Sequence, residues 1–295
     1  MSTNTHSIGG IIPALITPYD TAGDVNHASL RALVEKTLSE GVKGFYVGGS
    51  TAETFLLTQD ERKALIETVV EAVAGRAFVI CHVGSISSAV ATELAAHAAG
   101  LQVDAVSAIP PFYYNFSIDE IVGYYQDIAA ASDCPVILYN FPAFSGVTID
   151  HIRVPELFTD PRIIGIKHTS LDLYKLERIK QANPEFRCLS GHDEVFLPAL
   201  SIGADGAVGS TYNFMAPLFV RIQELFLKGR MEEARELQGR ANAVIDVVAD
   251  VGGFSATKYL VETQGIPCGP CRKPFKPLNT EARERLDAII PLMSV

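Results

Sequence analysis

Up to about residue 228 the chain alternates between short apolar runs and longer stretches with helical periodicity. The runs cover residues 10–15, 44–47, 77–82, 105–109, 135–139, 163–167, 186–190 and 206–209. Most are continuously apolar. A strand with one wet face alternates between apolar and polar residues, so continuity marks strands covered on both faces, as in a parallel sheet. Between the runs, Leu30, Leu33, Val34 and Leu38 recur at helical spacing, and Leu65, Ile66, Val69, Val70 and Val73 repeat the pattern. Eight strands, each followed by a helix, predict an α/β fold, the TIM (β/α)8 barrel. A doubly wound sheet also accommodates eight strands, but no Gly-rich dinucleotide turn follows the first run. It leads instead into Ile16-Thr17-Pro18-Tyr19. From residue 229 the pattern is helical, over 231–248, 255–263 and 280–293, with no low-complexity linker before it. The expected organisation is a barrel over 1–228 with a C-terminal helical extension, 229–295, packed on it.

Composition narrows the function classes. The 295 residues suit one barrel, and 34 acidic against 24 basic groups leave a formal charge of −10. Nucleic-acid binding needs a basic face, so that class is excluded. With 48% hydrophobic and 20% charged residues, the chain is not of the disordered class. Uncharged stretches such as 134–149 are broken by Pro, Gly and Asn, so no membrane span is expected. The first lysine or arginine is Arg31, which argues against a secretory signal. Of five cysteines, Cys81, Cys134 and Cys188 lie in or beside apolar runs, as free core thiols do in a reducing compartment. The expectation is a soluble cytoplasmic protein.

In such a barrel, chemistry sits at the C-terminal ends of the strands. Polar residues that end the apolar runs are therefore the candidates. Lys167 ends the sixth run. Most lysines at such a place emerge into solvent, but in a dry barrel mouth desolvation disfavours the ammonium and frees a nucleophilic amine. Tyr139 ends the fifth run, as an aromatic cap on the core or as a phenol that relays protons. The second run opens into Gly48-Gly49-Ser50-Thr51-Ala52-Glu53. Its small residues, N–H groups and hydroxyls suit a carboxylate, or an ordinary turn; no Walker lysine follows to favour phosphate. The seventh run leads into Gly191-His192-Asp193-Glu194, whose acids suit a helix start, a polyol or a metal. Further ligands at metal spacing are absent, so no metal is assigned. Cys268-Gly269-Pro270-Cys271 has the spacing of a redox dithiol or half a zinc site, but no second pair exists to complete a four-cysteine site.

Several motifs together resemble the pyruvate-dependent class I aldolase family that includes the sialic acid lyases and the dihydrodipicolinate synthases. They are Tyr46-Val47-Gly48-Gly49-Ser50-Thr51, Pro111-Phe112-Tyr113-Tyr114, Tyr139-Asn140-Phe141-Pro142-Ala143-Phe144-Ser145-Gly146, Gly165-Ile166-Lys167, Gly209-Ser210-Thr211-Tyr212-Asn213 and Cys271-Arg272-Lys273-Pro274-Phe275. The resemblance spans nearly the whole chain and implies a TIM barrel and a homotetramer. It implies Lys167 as the Schiff-base lysine, Tyr139 as the proton-transfer phenol, and Ser50 and Thr51 as holders of the pyruvate carboxylate. Tyr113 matches an aromatic placed near the active site, in some members from a neighbouring subunit. Thr169, Gly191, Asp193, Glu194 and Ser210 match positions that contact the sugar in the sialic acid lyases.

Dihydrodipicolinate synthases carry an arginine where this chain has Phe144, and an apolar residue removes that charge-assisted grip on a second carboxylate. Asp172-Leu173-Tyr174 also looks more like the lyases. The chain departs from the family pattern at Ala52, where glycine is common, and at His168, Leu171 and His192. The implied activity is cleavage of N-acetylneuraminate, or a related 2-oxo-3-deoxy sugar acid, to pyruvate and an aldehyde such as N-acetylmannosamine, without a cofactor or metal. The rivals are an aldolase for a different sugar acid and a non-catalytic sensor of pyruvate-like acids. A sensor would need neither Lys167 nor Tyr139.

Overall fold

Eight strands cover Gly10–Pro13 (β1), Gly44–Val47 (β2), Phe78–His82 (β3), Ala105–Ala108 (β4), Val136–Asn140 (β5), Ile163–His168 (β6), Arg187–Ser190 (β7) and Gly206–Gly209 (β8). In the computed structural model, which describes residues 8–294, they form one parallel sheet in the order β1-β8-β7-β6-β5-β4-β3-β2. The two ends of that order meet. Leu15 N–H donates to Tyr46 O at 3.0 Å and Lys43 N–H to Ile11 O at 3.1 Å, which brings β1 against β2 and closes the barrel. The fold is thus the expected TIM barrel.

The helices are α1 (His27–Ser39), α2 (Gln59–Val73), α3 (Ser88–Gly100), α4 (Ile118–Ala131), α5 (Pro142–Ser145), α6 (Pro155–Thr159), α7 (Leu173–Ala182), α8 (Phe196–Ser201) and α9 (Tyr212–Leu227). Their starts follow local chemistry. Thr58 with Glu61 and Ser117 with Glu120 form reciprocal capping boxes at α2 and α4. Each strand carries two faces of apolar side chains. Ile12, Tyr46, Ile80, Ile137, Leu189 and Val208 fill the barrel interior. Ile11, Phe45, Val79, Val106, Leu138 and Ile166 pack outward in the larger core. Burial on both sides removes any advantage of polar alternation, hence the continuous runs.

Strand ends differ slightly from the apolar runs. The β5–β6 ladder continues to Asn140 and His168, polar residues beyond the point where apolarity stops. Conversely, Ala14 still donates its N–H to Gly209 O at 2.9 Å but already bridges to Tyr46, and Leu15 donates to Tyr46 O at 3.0 Å. After the barrel come α10 (Met231–Glu262) and α11 (Thr280–Ile289). Gly252, at φ 116°, kinks α10 between the two helices that the sequence pattern separates.

All five cysteines are free and buried. Burial pushes the Cys268 thiol up to about 12 and also raises Cys271, so neither has the thiolate character of a redox pair. Among the described residues no group of three or more His, Cys, Asp or Glu could hold a metal ion. No described helix is long and apolar enough to cross a membrane.

Candidate active site

The β5–β6 register sets Lys167 directly beside Tyr139, so both side chains project on the same face of the sheet. Lys167 is only 5% exposed. Its Nζ sits 4.0 Å from the ring centroid of Tyr139 and 4.3 Å from that of Tyr46. None of the ion pairs among the described residues involves it. Two π faces therefore hold a desolvated amine without a carboxylate to bind it, which leaves its lone pair available once the proton is lost.

Opposite the lysine, Ser50–Ala52 forms one turn of 3₁₀ helix after β2. Ser50 Oγ lies 3.5 Å from the Tyr139 hydroxyl, at the outer limit of a hydrogen bond. The Thr17 hydroxyl ties the turn down by donating to Ala52 O at 2.8 Å. The left-handed residue in this turn is Glu53, with φ 58°, and not Ala52. A β-carbon at position 52 therefore meets no left-handed backbone strain.

The cavity above Lys167 is about 320 Å³, a volume suited to a small ligand. Ser50, Thr51, Tyr139, Lys167, Thr169, Gly191, Asp193, Glu194 and Ser210 all line it. Thr169 contributes a buried hydroxyl with no partner in the protein. Gly191 is required beside it, because a β-carbon at 191 would collide with Thr169 Oγ1. Asp193 and Glu194 differ in setting. Asp193 is buried, and its Oδ2 accepts from Thr211 N at 3.0 Å and Thr211 Oγ1 at 2.7 Å. Burial raises its pKa, and the Thr211 donors oppose the rise. Glu194 is half-buried and pairs with His192 Nδ1 at 3.0 Å. Burial is the largest single influence and opposes its ionisation, yet the His192 hydrogen bond, its own backbone N–H and the attraction of His192 together outweigh this, and its pKa is lowered.

The C-terminal helix α10 holds this wall in place. Gln238 Nε2 donates to Asp193 O at 3.1 Å and Asn242 Nδ2 to Glu194 O at 3.1 Å. Asn213 Nδ2 donates to Ala14 O and Ser210 O, each at 2.7 Å, joining the ends of β1 and β8 beneath Ser210. His168 turns away into the scaffold: Asn140 Nδ2 donates to its Nδ1 at 2.9 Å, and its Nε2 donates to Asp172 O at 3.1 Å.

Tyr113 stands apart. It is 84% exposed, at φ 79°, edge-on to Tyr114, and lines no part of this cavity. Leu171 is likewise exposed. Sequence reasoning missed Ile245, Val248, Phe254 and Thr257 of α10, which form the roof. The apolar spacing of Ile245, Val248 and Phe254 identifies a packed helix but not what it packs against. Tyr46 was legible only as part of a motif, although its inward position in β2 places it under the amine. Phe144 is 60% exposed and stacks on Phe141 with ring centroids 4.2 Å apart, at the edge of the cavity.

This arrangement supplies a buried amine, an adjacent phenol, a turn with two hydroxyls, and the polar side chains of Thr169, Asp193, Glu194 and Ser210 around one cavity. Comparisons with known proteins show what the chain as a whole is similar to. Residues 7–292 match the model of the dihydrodipicolinate synthetase family. An N-acetylneuraminate lyase of Rhizobium meliloti (strain 1021) is 42% identical over 287 residues, 97% of this chain and 95% of that protein. The crystal structure of CdNal from Clostridium difficile in complex with mannosamine superposes with a TM-score of 0.93 at 37% identity, covering 96% of this chain and 98% of that one. A catalytic lysine mutant of the Ruminococcus gnavus sialic acid aldolase superposes with a TM-score of 0.95 at 32% identity, covering 98% and 97% of the respective chains.

Proposed function

The chain belongs to the dihydrodipicolinate synthetase family, and we propose that within it the protein is a carbon–carbon lyase that cleaves N-acetylneuraminate to pyruvate and N-acetylmannosamine. The observation that carries this reading is the Lys167 amine, buried against two phenol rings in a cavity also lined by Thr169, Asp193, Glu194 and Ser210. The Lys167 amine adds to the C2 ketone, and loss of water gives an iminium. Tyr139 then takes the proton of the C4 hydroxyl while passing its own phenolic proton to the substrate carboxylate, from which it later returns to C3; the C3–C4 bond breaks, and its electron pair moves into the iminium to leave an enamine and the aldehyde. Protonation of the enamine at C3 and hydrolysis of the resulting iminium release pyruvate and restore the amine. The iminium is the electron sink, so these steps need no dissociable cofactor.

Ser50 and Thr51 hold the carboxylate in this reading, and the wall from Thr169 to Ser210 receives the sugar. Asp193 spends one oxygen on Thr211, which supports a role in shaping the wall as well as touching substrate. Glu194 is the cleaner probe of sugar recognition. Glu194→Gln is expected to lower kcat/KM for a nine-carbon 2-oxo acid by about 10- to 150-fold, the scale of one hydrogen bond to a charged group. The six-carbon analogue, which is too short to reach it, should change little. Parallel pyruvate-release assays on the two acids check this. Equal losses on both would make the wall structural and favour an aldolase for a shorter acid.

Phe144 supports a further expectation. No guanidinium from that position meets a second carboxylate, so pyruvate with aspartate semialdehyde should give little condensation product. Efficient condensation in a coupled assay would return the chain to the synthase branch. The exposed Tyr113–Tyr114 pair supports the homotetramer in which Tyr113 serves a neighbouring site, and sedimentation equilibrium reads that state. The proposed compartment is the cytoplasm.

A further inference from the structure

One buried titratable side chain at the barrel mouth has no part in the steps above. His82, the last residue of β3, is 1% exposed, and its ring lies edge-on to Tyr139 at 5.8 Å between centroids. Its two nitrogens have different partners. Nδ1 is 3.0 Å from Gly48 O, and Nε2 is 3.3 Å from Ile109 N. A carbonyl only accepts and a backbone N–H only donates, so the imidazole must carry its proton on Nδ1 and be neutral. Its surroundings agree. Burial, the nearby Arg62 guanidinium and Lys167 all oppose protonation of the ring. Arg62, itself 5% exposed, donates to His82 O and Gly84 O at 3.1 Å each, which pins the end of β3 from behind.

The bond to Gly48 O matters because of where that carbonyl lies. Gly48 has φ 70°, which turns the chain from β2 across the top of the barrel. Gly49 follows so close to Tyr46 that a β-carbon there would come within 2.6 Å of its ring. Ser50 comes next and reaches the Tyr139 hydroxyl. His82 is therefore the side chain that ties the start of this turn to the neighbouring strands, while its other nitrogen holds the end of β4.

We infer that His82 is a positioning residue for the proposed reaction: its Nδ1–H bond to Gly48 sets the Ser50–Thr51 turn against Tyr139 and Lys167. The inference rests on the proposed use of Ser50 and Thr51 as the carboxylate cradle. Two polar replacements separate positioning from general support of the core. Asparagine places an amide N–H where Nδ1 was, and glutamine places a carbonyl where Nε2 was. His82→Asn is expected to keep the pyruvate concentration for half-maximal borohydride trapping within about 3-fold of wild type. His82→Gln, which leaves Gly48 O unpaired, is expected to raise it by about 10-fold or more, the scale of an unsatisfied buried polar group.

Near-ultraviolet circular dichroism reports folding of both variants. In the wild-type protein, a long-range ¹H–¹⁵N spectrum should show the His82 proton on Nδ1 from about pH 5 to about pH 9, where a free imidazole would titrate. Equal impairment of the two variants, unchanged trapping in both, or an Nε2–H or charged ring would overturn the inference. Failure of wild-type protein to trap pyruvate, with the Nδ1–H form intact, would instead count against the reaction and leave the hydrogen-bonded tie to the turn established by the spectrum.

Discussion

Lys167→Ala should reduce sugar-acid cleavage by about four orders of magnitude or more, a loss of the size seen when a covalent nucleophile is removed. The expectation follows from the geometry. The amine stands 4.0 and 4.3 Å from two ring centroids in a cavity where no carboxylate pairs with it. No neighbouring lysine lines that cavity to replace it. Lys167→Arg is the sharper variant, because it keeps the positive charge over Tyr139 but offers no nucleophilic amine. If the site acted only by electrostatic attraction, arginine would retain much of the activity; a covalent route predicts that both variants are dead. Reduction with borohydride in the presence of pyruvate should add one reduced pyruvate to wild-type protein, with peptide mass spectrometry placing it on Lys167. An adduct on another lysine, or turnover surviving in Lys167→Arg, would refute the mechanism.

The second large effect concerns stability and lies behind the carboxylate turn. Glu53 and Lys258 form an ion pair at 2.6 Å, with side-chain exposures of 0% and 3%. Glu53 also accepts from Arg272 N at 2.7 Å, and the Lys258 Nζ lies 4.0 Å over the Tyr19 ring. The pair thus joins the left-handed end of the Ser50–Ala52 turn to α10 and to the 268–275 segment. Removing one partner strands the other charge without water, at a cost of about 3–5 kcal/mol. Glu53→Ala and Lys258→Ala are each expected to show that loss in urea unfolding. The double variant Glu53→Ala with Lys258→Ala should lose less than the sum of the single losses, because no orphan charge remains. Strict additivity would show that the two charges do not depend on each other. The same single variants should weaken pyruvate trapping, because Ser50 and Thr51 stand on that turn.

The resemblance also proves useful in unequal measure along the chain. Ser50, Thr51, Thr169, Gly191, Asp193, Glu194 and Ser210 join Lys167 and Tyr139 around one cavity, as their places at strand ends imply. The same reasoning misses differences among them. Adjacent acids look equivalent in sequence, yet Asp193 is turned onto Thr211 and Glu194 toward His192. The four-residue cysteine spacing, which sequence reasoning discounts as a redox or metal site, is two buried free thiols.

What the amino-acid order determined by itself is whatever burial writes locally. Continuous apolar runs report strands wet on neither face, helical spacing reports one packed stripe, and their alternation predicts a parallel sheet, with the missing Gly-rich turn favouring the barrel over a doubly wound sheet. Polar residues at the ends of those runs then fall at one mouth. Distances across that mouth are a different matter. Ser50 and Tyr139 are separated by 89 positions and meet only because β1 returns to β2 and closes the ring. The roof from α10, the clamp of Gln238 and Asn242 on the acids, and the tie from His82 to Gly48 are likewise contacts between distant segments. Periodicity records whether a side chain is buried, not which remote partner buries it. That choice belongs to the tertiary structure, where strand register, packing and hydrogen-bond satisfaction act on all the segments at once.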